Sequence, residues 1–137
     1  MPYRVFIISS RKDLELAKEL AQKLEKIGVR VYSVERNAVA GDNIITGINP
    51  DLSRADEVLL VVTQNSVDSQ GLASLMGIAH SLQKFVTPII KGLKRDELPP
   101  IIRHMEYVKY DELSKYISNL KKRVSEQQAS EKQAKAS

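Results

Sequence analysis

The sequence predicts an α/β fold: a mainly parallel sheet of five strands in the order 2-1-3-4-5, with helices on both faces. Three observations predict it. Short runs rich in β-branched and aromatic residues alternate along the chain with stretches of helical apolar periodicity. The third of these runs, "EVLLVVT", is apolar at nearly every position, as a strand buried on both faces must be. The 137 residues are 42% hydrophobic and 28% charged, which suits one globular domain with a core and argues against a disordered chain. Regular strand–helix alternation demands parallel strands joined by right-handed crossovers, and the flavodoxin-like order is the natural five-strand solution.

The elements follow in order. "YRVFIIS" has strand length and composition. Ser10 and Asp13 then form a capping-box-like start, with Asp in place of Glu. "LELAKELAQKLEKIG" places Leu14, Ala17, Leu20, Ala21, Leu24 and Ile27 on one helical stripe, and Gly28 suits the left-handed position that ends a helix. "VRVYSVE" is the second strand and "RNAVAGDN" a polar loop with a flexible Gly41. "IITGINPDLSRAD" is a short, poor helix weakened by Gly47 and Pro50. After the third strand a helix carries Leu72, Leu75, Met76, Ala79 and Leu82 in register. "FVTPIIKG" is the fourth strand, whose Pro88 argues for a position near an end or an edge. "LKRDELPP" is a turn or one short helix, and "MEYVKYD" a short fifth strand. "ELSKYISNLKKRV" is an amphipathic helix with Leu113, Tyr116, Ile117, Leu120 and Val124 inward. The domain is expected over 1–124. Residues 125–137, "SEQQASEKQAKAS", are polar enough to fray or serve as a linker.

Composition narrows function. The chain has no cysteine, so disulfides, Cys-ligated zinc, iron–sulfur clusters and thiol chemistry are excluded. "MPYRVFIISS" lacks the basic and long apolar regions of a signal peptide, and "VLLVV" is too short to span a bilayer. The expectation is a soluble cytoplasmic domain with no membrane partner. Residues 121–137 hold five basic and two acidic residues, and so supply +3 of the net +4. With no basic stripe interleaved with aromatics, that charge reads as a solvated helix end, and no nucleic-acid partner is expected.

Familiar catalytic patterns are missing. There is no P-loop, and no G-x-G-x-x-G follows the first strand. The first and third strands end in Ser9 and Ser10, and in Thr63 and Gln64, so no carboxylate stands there for magnesium or phosphorylation. His80 and His104 are isolated; each reads as a surface or half-buried residue, and together they make no metal site. Met76 is core filler. Ser9, Ser10, Arg11 and Lys12 follow the central strand and open a helix, where N–H groups, hydroxyls and two cations can hold an anion or part of a nucleotide. Plain capping with a solvated charge pair accounts for them equally well.

This order of elements, with "YRVFIISSRKD", "RNAVAGDNI", "SRADEVLLVVTQNSVDS" and "TPIIKGLKRDELPPII" in sequence, resembles the Toll/interleukin-1 receptor (TIR) domain family. The likeness is greatest to its compact bacterial and archaeal type and covers about residues 3–113. It implies the flavodoxin-like TIR fold and one of two functions. Some members are assembly modules that stack through the loop after strand two, the BB loop, and neighbouring helices. Others hydrolyse NAD at the nicotinamide–ribose bond or form cyclised ADP-ribose products, and these carry W-x-x-x-E early in the helix after the third strand. Laid on "NSVDSQGLASLMGIA", the Trp position is Gly71 and the Glu position Leu75. The reaction needs a carboxylate to hold the ribose hydroxyls and the positive charge that develops as nicotinamide leaves; leucine does neither. Asp68 is the nearest acid, but it precedes the helix, about two turns from position 75.

The resemblance therefore implies a signalling module with no catalytic residue and no cofactor, whose partners are other TIR domains, its own copies included. Arg36, Ala40, Gly41, Asp42 and Asn43 of the BB loop would form the contact surface. Two alternatives stay open. One is an NAD glycohydrolase or cyclase using a displaced carboxylate, Asp68 or one from a neighbouring subunit, with NAD as substrate. The other is a non-hydrolytic nucleotide sensor using Ser9, Ser10, Arg11 and Lys12.

Overall fold

The computed structural model describes residues 3–33, 54–65, 77 and 85–136. Five strands, β1 (Arg4–Ile8), β2 (Arg30–Ser33), β3 (Glu57–Val62), β4 (Phe85–Ile90) and β5 (Val108–Lys109), form one sheet in the order 2-1-3-4-5. All four pairings are parallel. The helices among the described residues are α1 (Leu14–Glu25), α2 (Pro100–Arg103) and α3 (Leu113–Ala136), with 3-10 turns at Arg11–Asp13, Arg95–Glu97 and Tyr110–Glu112. The loop expected over 36–43, residues 44–53 of the short helix expected over 44–56, and the helix expected over 71–82 apart from Gly77 lie outside the described residues.

Strand periodicity divides the core in two. Val5, Ile7, Leu59, Val61 and Ile89 face α1 and α3 on one side of the sheet. Phe6, Ile8, Val58, Leu60, Val62 and Ile90 face the other side, against Ala55, Leu98 and Ile102 of α2. Every residue of β3 is buried, and the apolar run Val58–Val62 accounts for all of them but Glu57. Each fully buried Leu, Ile or Val of this kind stabilises the fold by about 1.5–3 kcal/mol relative to exposure.

On α1 the stripe holds from Ala17 onward: Ala17, Leu20, Ala21 and Leu24 are buried and Ile27 packs against them, while Leu14 is only half-buried and Leu16, off the predicted stripe, packs on the cluster. Gly28 ends the helix at φ +86°, and the N–H of Val29 returns to the Leu24 carbonyl at 3.4 Å. On α3, Leu113, Tyr116, Leu120 and Val124 are buried and Ile117 is half-buried. The helix then continues through the polar stretch to Ala136.

Pro88 lies in the middle of β4, opposite Leu60, and β4 is not the edge strand. Its position still has a physical reason. Lys91 N donates to the Val62 carbonyl at 3.1 Å, so alternation turns the amides of Phe85, Thr87 and Ile89 toward β3 and those of Val86, Pro88 and Ile90 outward. The N–H that proline lacks would have pointed toward β5. The expected fifth strand, "MEYVKYD", is accordingly cut to Val108–Lys109, which pairs with Ile89 and Ile90 only. The ladder stops where it would next need a donor from Pro88. Among the described residues, no strand covers the outer side of β4 from Phe85 to Pro88.

The N-terminal end of the sheet is tied to α3 by an ion pair. Arg123 Nη2 donates to Glu57 Oε1 at 2.7 Å, and the Tyr116 hydroxyl donates to Oε2 at a long 3.5 Å. Glu57 is 1% exposed, while the Arg123 side chain is 34% exposed. Burial pushes the Glu57 carboxyl above its ordinary value, and Arg123 partly offsets the rise. Burial and the neighbouring Glu57 push the Tyr3 and Tyr116 hydroxyls up as well.

Candidate functional site

In an open α/β sheet the functional crevice lies beyond the C-terminal ends of the strands. Here that rim is built where β1 runs into Ser9 and Ser10 and β3 into Thr63, Gln64 and Asn65. Ser9 is buried at 6% exposure, Ser10 is half-buried and Lys12 is exposed. Arg11 opens the 3-10 turn that leads into α1. The sequence-predicted group of Ser9, Ser10, Arg11 and Lys12 is thus a contiguous segment at the central strand's end.

The residue that organises this rim is Asp13. Its carboxylate is 6% exposed and receives three donors. Ser10 Oγ reaches Oδ2 at 2.9 Å, Thr63 Oγ1 reaches the same oxygen at 2.7 Å, and Asn65 Nδ2 reaches Oδ1 at 2.9 Å. The Asn65 N–H also donates to Thr63 Oγ1 at 3.1 Å, which fixes that hydroxyl to donate onward. The expected capping box does not form. Asp13 is the residue that caps α1 but makes no side-chain cap bond, because its oxygens are drawn to the end of β3 instead.

Asp13 is what sequence reasoning missed. A carboxylate does stand between the ends of β1 and β3; it arrives from the turn rather than from either strand. The spacing to Ser10 was visible, but it points equally to a local cap. The decisive partners lie 50 and 52 residues away in sequence.

A groove of about 650 Å³ opens beside the rim, lined in part by Lys12, Asp13, Gln22, Thr63, Asn65 and Lys91. Its cations Lys12, Lys18 and Lys91 face the acids Asp13, Glu15 and Glu19, so no strong field of one sign develops. Farther along, Gln64 Nε2 donates to Glu97 Oε2 at 3.1 Å, and Lys94 N donates to Oε1 at 2.9 Å. These two bonds, the backbone one foremost, hold the exposed Glu97 carboxyl below its usual value. An ionised carboxylate offers about four lone-pair directions, and Asp13 has three filled by its own chain. That arrangement braces the rim. It leaves about one lone-pair direction for any further partner.

His104 is exposed and follows α2, where its N–H returns to the Pro100 carbonyl at 3.3 Å. The expected BB-loop residues Arg36, Ala40, Gly41, Asp42 and Asn43, together with Asp68, Gly71, Leu75 and His80, lie outside the described residues.

Comparison with known proteins places this geometry. No curated protein matches the sequence. Among solved structures, a metazoan TIR-STING receptor from C. gigas, determined with 2′,3′-cGAMP, is similar at a TM-score of 0.68 and 20% identity. The match covers 90% of this chain and 39% of the receptor, so the chain spans well under half of that protein. The TIR domain of a Toll-related receptor from Hydra magnipapillata matches at a TM-score of 0.65 and 19% identity, over 80% of this chain and 86% of that one. A prokaryotic SEFIR domain matches at 0.61 and 20% identity, over 88% and 90%. At these identities the likeness is one of fold. The sequence profile of the TIR domain is more specific: it matches residues 5–124, from β1 to the last buried turn of α3, and the chain belongs to the TIR domain family.

Proposed function

We propose that this chain is a TIR-type signalling module that acts by assembling with other TIR domains, its own copies included, and that it does not cleave NAD. The observation that carries the reading is the state of Asp13. It is the buried carboxylate at the described rim, and Ser10, Thr63 and Asn65 occupy it. Cleaving the nicotinamide–ribose bond needs an acid free to face the ribose and the charge that develops there. Leu75, at the position where the family's enzymes carry glutamate, supplies none. Assembly through the BB loop, Arg36 to Asn43, asks nothing of the rim beyond a rigid support. The Asp13 bonds supply that by tying the start of α1 to the end of β3.

The test is NAD consumption followed by release of nicotinamide, at high protein concentration so that assembly is not limiting. The expected result is no turnover above a heat-denatured control. Robust turnover that disappears on Asp68→Asn would overturn the reading and make the chain an enzyme with a displaced acid.

A further inference from the structure

Glu57 takes no part in the rim or in the BB loop, yet it is a carboxyl enclosed at 1% exposure on the first residue of β3. Among the described residues, three titratable or charged groups face it. Arg123 of α3 donates from Nη2 to Oε1 at 2.7 Å, and the Tyr116 hydroxyl of the same helix stands 3.5 Å from Oε2. The buried Tyr3, just before β1, turns its hydroxyl to the same carboxyl. On the flanking strands the residues in register with Glu57 are Val5 and Phe85, neither of them charged. Both phenols are held neutral, since burial and the carboxylate push their hydroxyls upward. A proton taken from water therefore has one place to go in this cluster, the carboxyl itself.

Arg123, for its part, has an outlet. Held inward, it leaves its buried Nε with no partner among the described residues. Its side chain is already 34% exposed, and its guanidinium carbon lies 5.7 Å from the centre of the Tyr116 ring and 5.8 Å from that of Phe85, itself 62% exposed. Turned outward, the guanidinium keeps a ring to rest on and hydrates the N–H that now goes without. What holds it inward is the charge on Glu57. A neutral carboxyl stays buried at far lower cost than an ionised one, and it still offers a donor and an acceptor to the two phenols. We propose that Glu57 and Arg123 form a proton-operated latch: Arg123 is held inward while Glu57 is ionised, and turns out to solvent when Glu57 takes up a proton. The pair then passes from no net charge to a single exposed positive charge on the face between β4 and α3. Leu120 and Val124, which flank Arg123 on the helix, stay packed in the core. The fold is kept, and the charge of that face is what pH sets. Burial raises the Glu57 carboxyl above its ordinary value, so the latch opens at a higher pH than an exposed glutamate needs.

The test is an NMR titration of the full chain, at concentrations low enough to keep it monomeric, so that it fails or succeeds independently of TIR–TIR assembly. The Glu57 carboxyl carbon and the Arg123 guanidinium nitrogens are followed from about pH 8 to about pH 4, with circular dichroism recorded alongside. Glu57 should titrate in one step with a midpoint above the ordinary glutamate value. The Arg123 nitrogens should move through the same midpoint, from the split signals of a held guanidinium to the averaged signals of a solvated one, while the circular dichroism stays constant. Glu57→Gln, a neutral stand-in for the protonated carboxyl, should show averaged Arg123 signals at every pH. Arg123→Lys keeps a cation but not the fork that grips the carboxylate, so the Glu57 midpoint should rise further. Arg123 signals indifferent to the Glu57 step, a Glu57 midpoint at or below the ordinary value, a step that survives Glu57→Gln, or a midpoint unmoved by Arg123→Lys would each overturn the proposal. So would loss of the circular dichroism signal through the step, because protonation would then unfold the domain rather than turn one side chain.

Discussion

Arg123 reaches back from α3 to the first residue of β3, and much depends on the inequality between the two partners. Glu57 is enclosed while Arg123 keeps a third of its side chain in water. Removing the arginine strands a buried charge; removing both leaves a packing problem of modest size. Arg123→Met should cost about 2–3 kcal/mol in denaturant unfolding, at the low end for a buried pair because water can enter where the guanidinium was. The double variant Glu57→Gln/Arg123→Met should recover most of that loss. The pH dependence has a definite sign. Burial raises the folded-state pKa of Glu57 above its unfolded value. Its contribution to stability is therefore fully present below the unfolded pKa and is lost as pH rises through the folded one. Arg123→Met loses the partner that offsets this rise. Its melting temperature should consequently recover on mild acidification from neutral pH by more than that of the parent protein. Gly28 allows a simpler experiment. A Cβ built there meets nothing within 4 Å, but φ is +86°. Gly28→Ala should cost about 1 kcal/mol from backbone conformation alone, visible as a melting temperature lower by a few degrees.

At the scale of elements, what could be read from sequence was what repeats locally. The α1 stripe, the α3 stripe, the β3 run and Gly28 are all periodic or positional signals, and each element formed where those signals lie. What could not be read depended on distant partners or on directions that spacing does not encode. Asp13 looks like a cap until the end of β3 is folded beside it. The Glu57–Arg123 pair joins residues 66 apart. Pro88 was legible as a constraint, but the sequence did not say that its missing donor would shorten a neighbouring strand. The length of α3 was also hidden. The polar stretch has no apolar stripe to signal a helix, yet the helix runs to Ala136. Buried side chains on the described part of α3 end at Val124. Removing residues 128–137 should therefore shift the melting temperature by no more than about 2 °C, since little apolar surface is lost. A larger drop in calorimetry would mean that the helix end docks.

For the molecule as a whole, the two ends of the sheet hold different kinds of chemistry. The C-terminal rim is balanced in charge and braced by Asp13; the opposite end carries an ion pair and an open strand edge. If assembly runs through the BB loop, replacing Gly41 by a bulky residue should weaken self-association in light scattering while circular dichroism stays unchanged, because glycine permits loop conformations that other residues resist. Unchanged association with the fold intact would move the contact surface elsewhere. The open edge has a consequence that can be timed. A strand hydrogen-bonded on one side only has amides with alternating fates in deuterated water. Those of Phe85, Thr87 and Ile89, bonded into β3, should exchange only when the sheet opens, and that of Ile90 when β5 detaches. The amide of Val86, between two slow neighbours, should exchange as fast as one in a loop.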